Sequence, residues 1–273
     1  MKDWYERIDV LFEIVKQLKN KEVALLGDKR VRCILAQNLN NLKSNIKGFE
    51  FFKKRNNLYL SLATFDFNKF FSDNKDLFQY NFFTFAHAKR IIQQDKFNEV
   101  HNKYITGYDF GIDFDAHEGD TKQAYNDCKS LKDLFDSFGI PYFLKSSGSG
   151  FHITIEYKDF PKQFNTDPIN KIRKFSVELR NLLRLVSMDV GLDDNGQSSG
   201  FFYDSRRLFK IAYSLDVKTG NVALPLTNNQ FNNFSQDMLK PENIMCITNR
   251  GLLKRPGSSE NITKMIKDLG ITI

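Results

Sequence analysis

Cysteine, histidine and proline are scarce in this chain, with 3, 4 and 6 copies respectively in 273 residues. Cys33, Cys128 and Cys246 lie far apart and form no C-x-x-C pair. That spacing points away from both a zinc knuckle and a disulfide framework, so no zinc is expected. The low proline content goes with the absence of a proline- or serine-rich linker, an internal repeat or a low-complexity tract, and no domain boundary stands out between residues 1 and 273. No apolar run approaches the ~20 residues that a membrane helix needs. The start, MKDWYERIDV, is charged within its first turn, unlike a secretory leader. These absences lead to the expectation of a soluble, cytoplasmic, non-membrane protein.

What is present in excess is positive charge, 40 Lys and Arg against 33 Asp and Glu, for a net charge of +7. The pI of about 9.1 favours a polyanionic partner such as nucleic acid. Phenylalanine is also abundant, notably between Phe49 and Phe85. Such rings can stack nucleobases, but at this density they are expected chiefly in the core.

Along the chain, Trp4, Ile8, Leu11, Phe12, Val15 and Leu18 recur at helical spacing and predict a helix over 3–19. Val31, Ile34, Leu35, Leu39 and Leu42 predict a second one over 28–42. LYLSLATFDF, from Leu58 to Phe67, alternates as a strand does, and a short helix is expected over 86–95. Downstream, a helix starting at Asp120 or Thr121 carries Ala124, Cys128, Leu131, Leu134 and Phe138 inward. Gly139 ends it, and Pro141 prevents its return. Asp167-Pro168 opens another helix with Ile169, Ile172, Phe175, Leu179, Leu182 and Val186 on one face. A last short helix is expected over 260–269.

The chemistry concentrates between Tyr108 and His152. In YDFGIDFD, Phe110, Ile112 and Phe114 alternate with Gly111, Asp113 and Asp115. On a strand the two carboxylates therefore share one face and the hydrophobes the other. Paired carboxylates repel one another unless a cation lies between them, and Mg²⁺ takes such oxygen ligands together with substrate phosphates. Ser146, Ser147, Gly148, Ser149 and Gly150 then form a turn whose hydroxyls and N–H groups can approach an anion. The next strand places His152, Thr154 and Glu156 on one face. Carboxylates for metal beside a turn for phosphate indicate nucleotide chemistry.

A third stretch, RLFKIAYSLDVKTG from Arg207 to Gly220, completes the pattern. Together these pieces resemble the archaeo-eukaryotic primase superfamily, particularly primase small catalytic subunits. The motifs that match are D-x-D at Asp113 and Asp115, SSGSGFH from Ser146 to His152, and an R-L-x-R-x-x-x-S-L-H-x-K-T-G segment. The last is matched at Arg207, Leu208, Ser214, Leu215, Lys218, Thr219 and Gly220. The matching region covers roughly residues 108–225, and any one motif alone is unspecific.

The resemblance implies a mixed α/β (α+β) fold, with an RRM-like catalytic module over 101–273 packed on an N-terminal αβ module over 1–100. It implies a DNA-dependent nucleotidyltransferase that makes short primers on single-stranded DNA from NTPs or dNTPs. Asp113, Asp115 and a third aspartate would hold two Mg²⁺ or Mn²⁺ ions for in-line phosphoryl transfer. Asp193 is the choice for the third, with Asp189 and Asp194 close rivals. Ser147, Gly148 and His152 would contact the triphosphate, and Arg207, Lys210 and Lys218 would neutralise its charge. A large or regulatory primase subunit is an implied partner. Departures from the family pattern are Ser149 where a basic residue is frequent, Lys210 for an arginine, Ala212 for a proline and Asp216 for a histidine. Two other readings remain: a primer-extending repair or end-joining polymerase of the same superfamily, for which no 5′-phosphate pocket is identifiable, and a non-catalytic nucleic-acid-binding subunit.

Overall fold

The computed structural model describes residues 4–26, 30–33, 57–73, 103–115, 121–188, 207–216 and 218–273. The fold is mixed α/β, of the α+β kind, with two antiparallel sheets. The first contains β1 (Lys21–Leu26), β2 (Arg30–Cys33), β3 (Asn57–Phe65), β4 (Ile105–Tyr108) and β8 (Leu208–Lys210). Its order is β2-β1-β3-β4, and the long β3 also pairs with β8 through Tyr59, Leu60 and Ser61. The second sheet contains β5 (Phe110–Phe114), β6 (Phe143–Ser146) and β7 (Phe151–Ile155) in the order β5-β7-β6.

Asp109 joins the two sheets. Its N–H donates to the Leu62 carbonyl at 3.0 Å. Its carboxylate accepts the Tyr157 N–H at 2.9 Å and the Lys21 ammonium at 2.8 Å. One residue between two strands is thus bonded to β1, β3 and the segment after β7, so the sheets cannot slide freely past each other.

Helices cover one face of the second sheet. These are α3 (Thr121–Phe138) and α4 (Pro168–Leu183), which follow α1 (Ile8–Lys16) and α2 (Phe67–Asp73) in the chain. Period-2 alternation sends Phe110, Ile112 and Phe114 to that face, where they are fully buried with Ile153 and Ile155. Ala124, Cys128, Leu131 and Phe135 of α3 and Ile172, Phe175 and Leu179 of α4 complete the layer. The Phe110 ring meets Phe175 edge-on at 5.5 Å and Phe135 at 6.0 Å. Each buried aromatic of this kind contributes roughly 1.5–3 kcal/mol. After α4 the chain returns to the sheet, where Met188 bridges Phe114 antiparallel. No helix among the described residues is long and apolar enough to cross a membrane.

The structure amends several sequence expectations. Residues 30–33 belong to a β hairpin with 21–26 and not to a helix; the rest of the 28–42 segment, and the helix expected over 86–95, lie outside the described residues. In α1 the buried stripe is Val10, Leu11 and Ile14, continued by Leu18, while Ile8 and Phe12 are exposed. The apolar residues of 3–19 are too many for one stripe, and residues 8 and 12 project on the far side from 10 and 14. Asp167 precedes α4 in a left-handed conformation, and its carboxylate accepts from the Asn170 amide, not from a backbone N–H. Leu182 is exposed, and Val186 is exposed beyond the helix end. Of the phenylalanine-rich stretch, the described Phe65, Phe67 and Phe70 are core residues. Among the described residues the remaining α-helices are α5 (Asn228–Asn232) and α6 (Ser259–Asp268), the last close to its expected position.

Candidate active site

The uncovered face of the second sheet looks toward the first, and the expected site residues lie on it. Strand register sets Asp113 opposite His152 and His152 opposite Lys145, a row of three across β5, β7 and β6. His152 Nε2 lies 3.0 Å from Asp113 Oδ1. The approach is off the N–H direction, and neither Asp113 Oδ1 nor His152 Nδ1 has a hydrogen-bond partner among the described residues. The His152 ring is buried and packs 4.3 Å from the ring of Phe209 on β8.

Burial pulls the His152 pKa down to about 4, with nearby Lys145 adding to that effect and Asp113 opposing it. The imidazole is therefore neutral near pH 7. At Asp113 burial works to raise the pKa, but His152, Arg207 and Lys210 outweigh it and hold the carboxyl below its usual range. Arg207, half-buried ahead of β8, is fixed by its own carbonyl accepting the Leu62 N–H at 3.0 Å. Asp115 follows β5 half-buried, its N–H bonded to the Ser187 carbonyl at 3.2 Å.

The turn from Ser146 to Gly150 is tied internally. Gly148 N–H donates to Ser146 Oγ at 3.1 Å, Gly150 N–H to Ser147 Oγ at 2.9 Å and Ser147 N–H to the Gly150 carbonyl at 2.9 Å. The sequence predicts these groups as donors to an anion; the structure uses them to hold the turn, because serine hydroxyls two and three residues upstream reach the glycine N–H groups. Exposed Ser149 is its tip. Gly148 has φ +101°, which side-chain-bearing residues rarely adopt, and a Cβ on Gly150 would stand 2.1 Å from the Phe114 carbonyl oxygen. The turn therefore abuts the end of the Asp113 strand.

Lys210 and Asp216 weld the third motif to this turn. The Lys210 ammonium donates to the Ser147 carbonyl at 2.8 Å and to Asp216 Oδ2. Asp216 Oδ1 accepts the N–H groups of Lys218 at 2.9 Å and Thr219 at 3.0 Å. Asp216 thus caps the tight turn made by its own K-T-G segment, and Lys210 serves the scaffold as well as the charge of the site. Lys218 is exposed at that turn.

Asp113, His152, Arg207 and Lys210 are therefore brought together, with Ser147 and Gly148 adjoining through Lys210. Asp193, like its rivals Asp189 and Asp194, lies outside the described residues. Among the described residues no group of three His, Cys, Asp or Glu side chains forms a metal cage. The half-buried Asp113 carboxylate, with an unpartnered oxygen, fits a hard divalent cation at the edge of such a site. Sequence reasoning missed Lys145, Phe209 and Asp109. Lys145 was findable: pairing across the Ser/Gly turn sets it opposite His152.

No family model matches the chain, and no curated protein matches it.

Proposed function

We propose that the chain is a template-dependent nucleotidyltransferase of the primase type, making short primers on single-stranded DNA. The observation that carries this reading is the row in which Asp113 and His152 face each other beside Arg207 and Lys210. Supporting it is the order β5-α3-β6-β7-α4 with the Met188 bridge back to β5, which is compatible with an RRM-like module. Asp113, Asp115 and the third aspartate, with Asp193 the choice, would hold Mg²⁺ or Mn²⁺. Bound there, the ions supply charge neutralisation at the phosphates and activation of the attacking 3′-hydroxyl. Neutral His152 has a ring N–H for a phosphoryl oxygen. Arg207 and exposed Lys218 offset the triphosphate's charge, and Lys210 keeps the Ser146–Gly150 turn against the site. Phe209 excludes water from one side of the His152 ring.

One observation favours a second reading, a nucleic-acid-binding module without chemistry: the turn's N–H donors and Lys210 are engaged within the protein. Nucleoside triphosphate binding in Mg²⁺ or Mn²⁺ against EDTA separates the two. The enzyme reading expects a metal-dependent gain of at least about tenfold that Asp113→Ala abolishes. Equal affinity with and without metal sinks it.

A further inference from the structure

Beside the Asp113 row, past Phe209, lies a cleft of about 420 Å³, within the roughly 300–1,000 Å³ typical of small-molecule sites. It opens between the C-terminal end of α1, the Lys21 end of β1 and the Thr154–Lys158 segment. Seven basic and two acidic side chains line it. Phe209, packed on His152 and pressed close to Gly111, stands between the cleft and Asp113.

We propose that this cleft, which adjoins the Asp113 row at Lys145 and Lys210, is a second site that binds the phosphates of a nucleotide or a nucleic-acid strand. Its two acids are already engaged. Asp109 holds Lys21 and the Tyr157 N–H, and Glu156 is shared by Lys158 at 3.0 Å, Lys254 at 3.3 Å and Arg250 at 3.9 Å. Lys145 has no carboxylate or carbonyl partner among the described residues; its nearest aromatic neighbour is the Phe209 ring, 5.4 Å from the ammonium. Burial, with Arg250 and Lys210 nearby, pulls its pKa down to about 7. The Arg250 guanidinium carbon stands over the Phe143 ring, 3.6 Å from its centre, which fixes this cation at the cleft. Exposed Lys19 adds another cation at the mouth.

Of the seven cations, Lys16 pairs with Glu13, Lys21 with Asp109, Lys158 and Arg250 with Glu156 and Lys210 with Asp216, so among the described residues Lys145 and Lys19 are the two left for an anion to neutralise. Phosphate oxygens suit such a set, since they accept from ammonium and guanidinium alike. Half-buried Tyr157 lines the same space and gives a base a surface on which to stack, which selects a nucleotide over an inorganic anion. The proposal stands whether or not the Asp113 row transfers nucleotides, and its test needs no divalent metal.

The test measures fluorescence anisotropy of a labelled oligo-dT on the full chain in EDTA, with unlabelled ATP as competitor. The wild type binds the oligonucleotide, and raised salt weakens it. Lys145→Gln with Lys19→Gln weakens binding by about tenfold or more, and Lys145→Arg restores most of it. Lys19→Gln alone, at an exposed position, weakens it about threefold and is not lost to misfolding. Lys264→Gln, at an exposed cation on α6 outside the cleft lining, binds as the wild type does, which separates the cleft from general surface charge. Competition by ATP assigns the cleft to a free nucleotide; binding without competition assigns it to a strand. No binding of either probe, or a double variant within twofold of the wild type, overturns the proposal.

Discussion

The Asp113 row and the cleft beside it treat charge in opposite ways. At the Asp113 end the groups that frame Asp113 and His152 are bonded inside the protein. Lys210 is held by Ser147 and Asp216, Asp216 by Lys218 and Thr219 N–H groups, and the turn's glycines by serine hydroxyls. At the cleft end, Lys145 and Lys19 have no carboxylate partner among the described residues, while the other five cations do. The first arrangement builds a rigid frame that fixes Asp113 and His152. The second leaves electrostatic energy unrelieved, the condition under which an incoming anion gains most. Rigidity and surplus charge sit on either side of one phenylalanine, Phe209.

Removing a partner at the rigid end should have the largest effect on stability. Asp216→Ala leaves the buried Lys210 ammonium without its carboxylate and frees two turn N–H groups. The expected loss is about 3–5 kcal/mol in chemical denaturation. A loss below about 1 kcal/mol would mean that the weld is not what holds this end together.

The pH dependence of stability probes the same end. His152 has a folded pKa of about 4, below its unfolded value, so the unfolded chain binds more protons between these values. Its contribution is present above about pH 6.5 and is lost as the pH falls toward 4. Asp113, also held below its ordinary range, acts in the same direction at lower pH. Thermal melts should lose about 2 kcal/mol from His152 between pH 7.5 and pH 5. His152→Gln should flatten that slope, and an unchanged slope would contradict a buried neutral imidazole.

At the cleft end the sign reverses. Lys145→Met removes an uncompensated ammonium and should raise stability by about 1 kcal/mol while weakening anion binding. Destabilisation would show that Lys145 has an internal role instead. The smallest effect is expected on the outer side of α1, beside the cleft. Phe12→Ser should stay within about 0.5 kcal/mol, whereas Ile14→Ala should cost about 2–5 kcal/mol in denaturant titrations.

Much of the second sheet was legible in the sequence because its signals are local. Alternation in YDFGIDF and FHITI defines two strands, and Gly139 with Pro141 closes the helix between them. The N-terminal region was harder. In KEVALLGDKRVRC the apolar residues fit either period over so short a run, and the hairpin is decided by pairing with β3. The helical stripe of α1 was overfilled with hydrophobes, and only packing selects Val10 and Ile14 over Ile8 and Phe12.

At the candidate site, the strand face of Asp113 and that of His152 could each be read from alternation within its own strand. The roles of Asp109 and Asp216 could not. Each depends on which backbone N–H or ammonium the fold brings to a carboxylate, a long-range outcome that residue type does not encode. The Ser/Gly turn shows the same limit, since its composition suits both anion binding and self-bonding.

Unprimed synthesis on single-stranded DNA is the decisive measurement for the Asp113 row. The assay uses labelled nucleotides with Mg²⁺ or Mn²⁺, and Asp113→Ala/Asp115→Ala is the control. The account predicts short products from the wild type and none from the double variant, since removing the carboxylates removes the ion site that the reaction needs. Extension of a supplied primer without unprimed products would shift the activity to the repair-polymerase type. Equal products from both proteins, or none under either condition while DNA remains bound, would contradict the account.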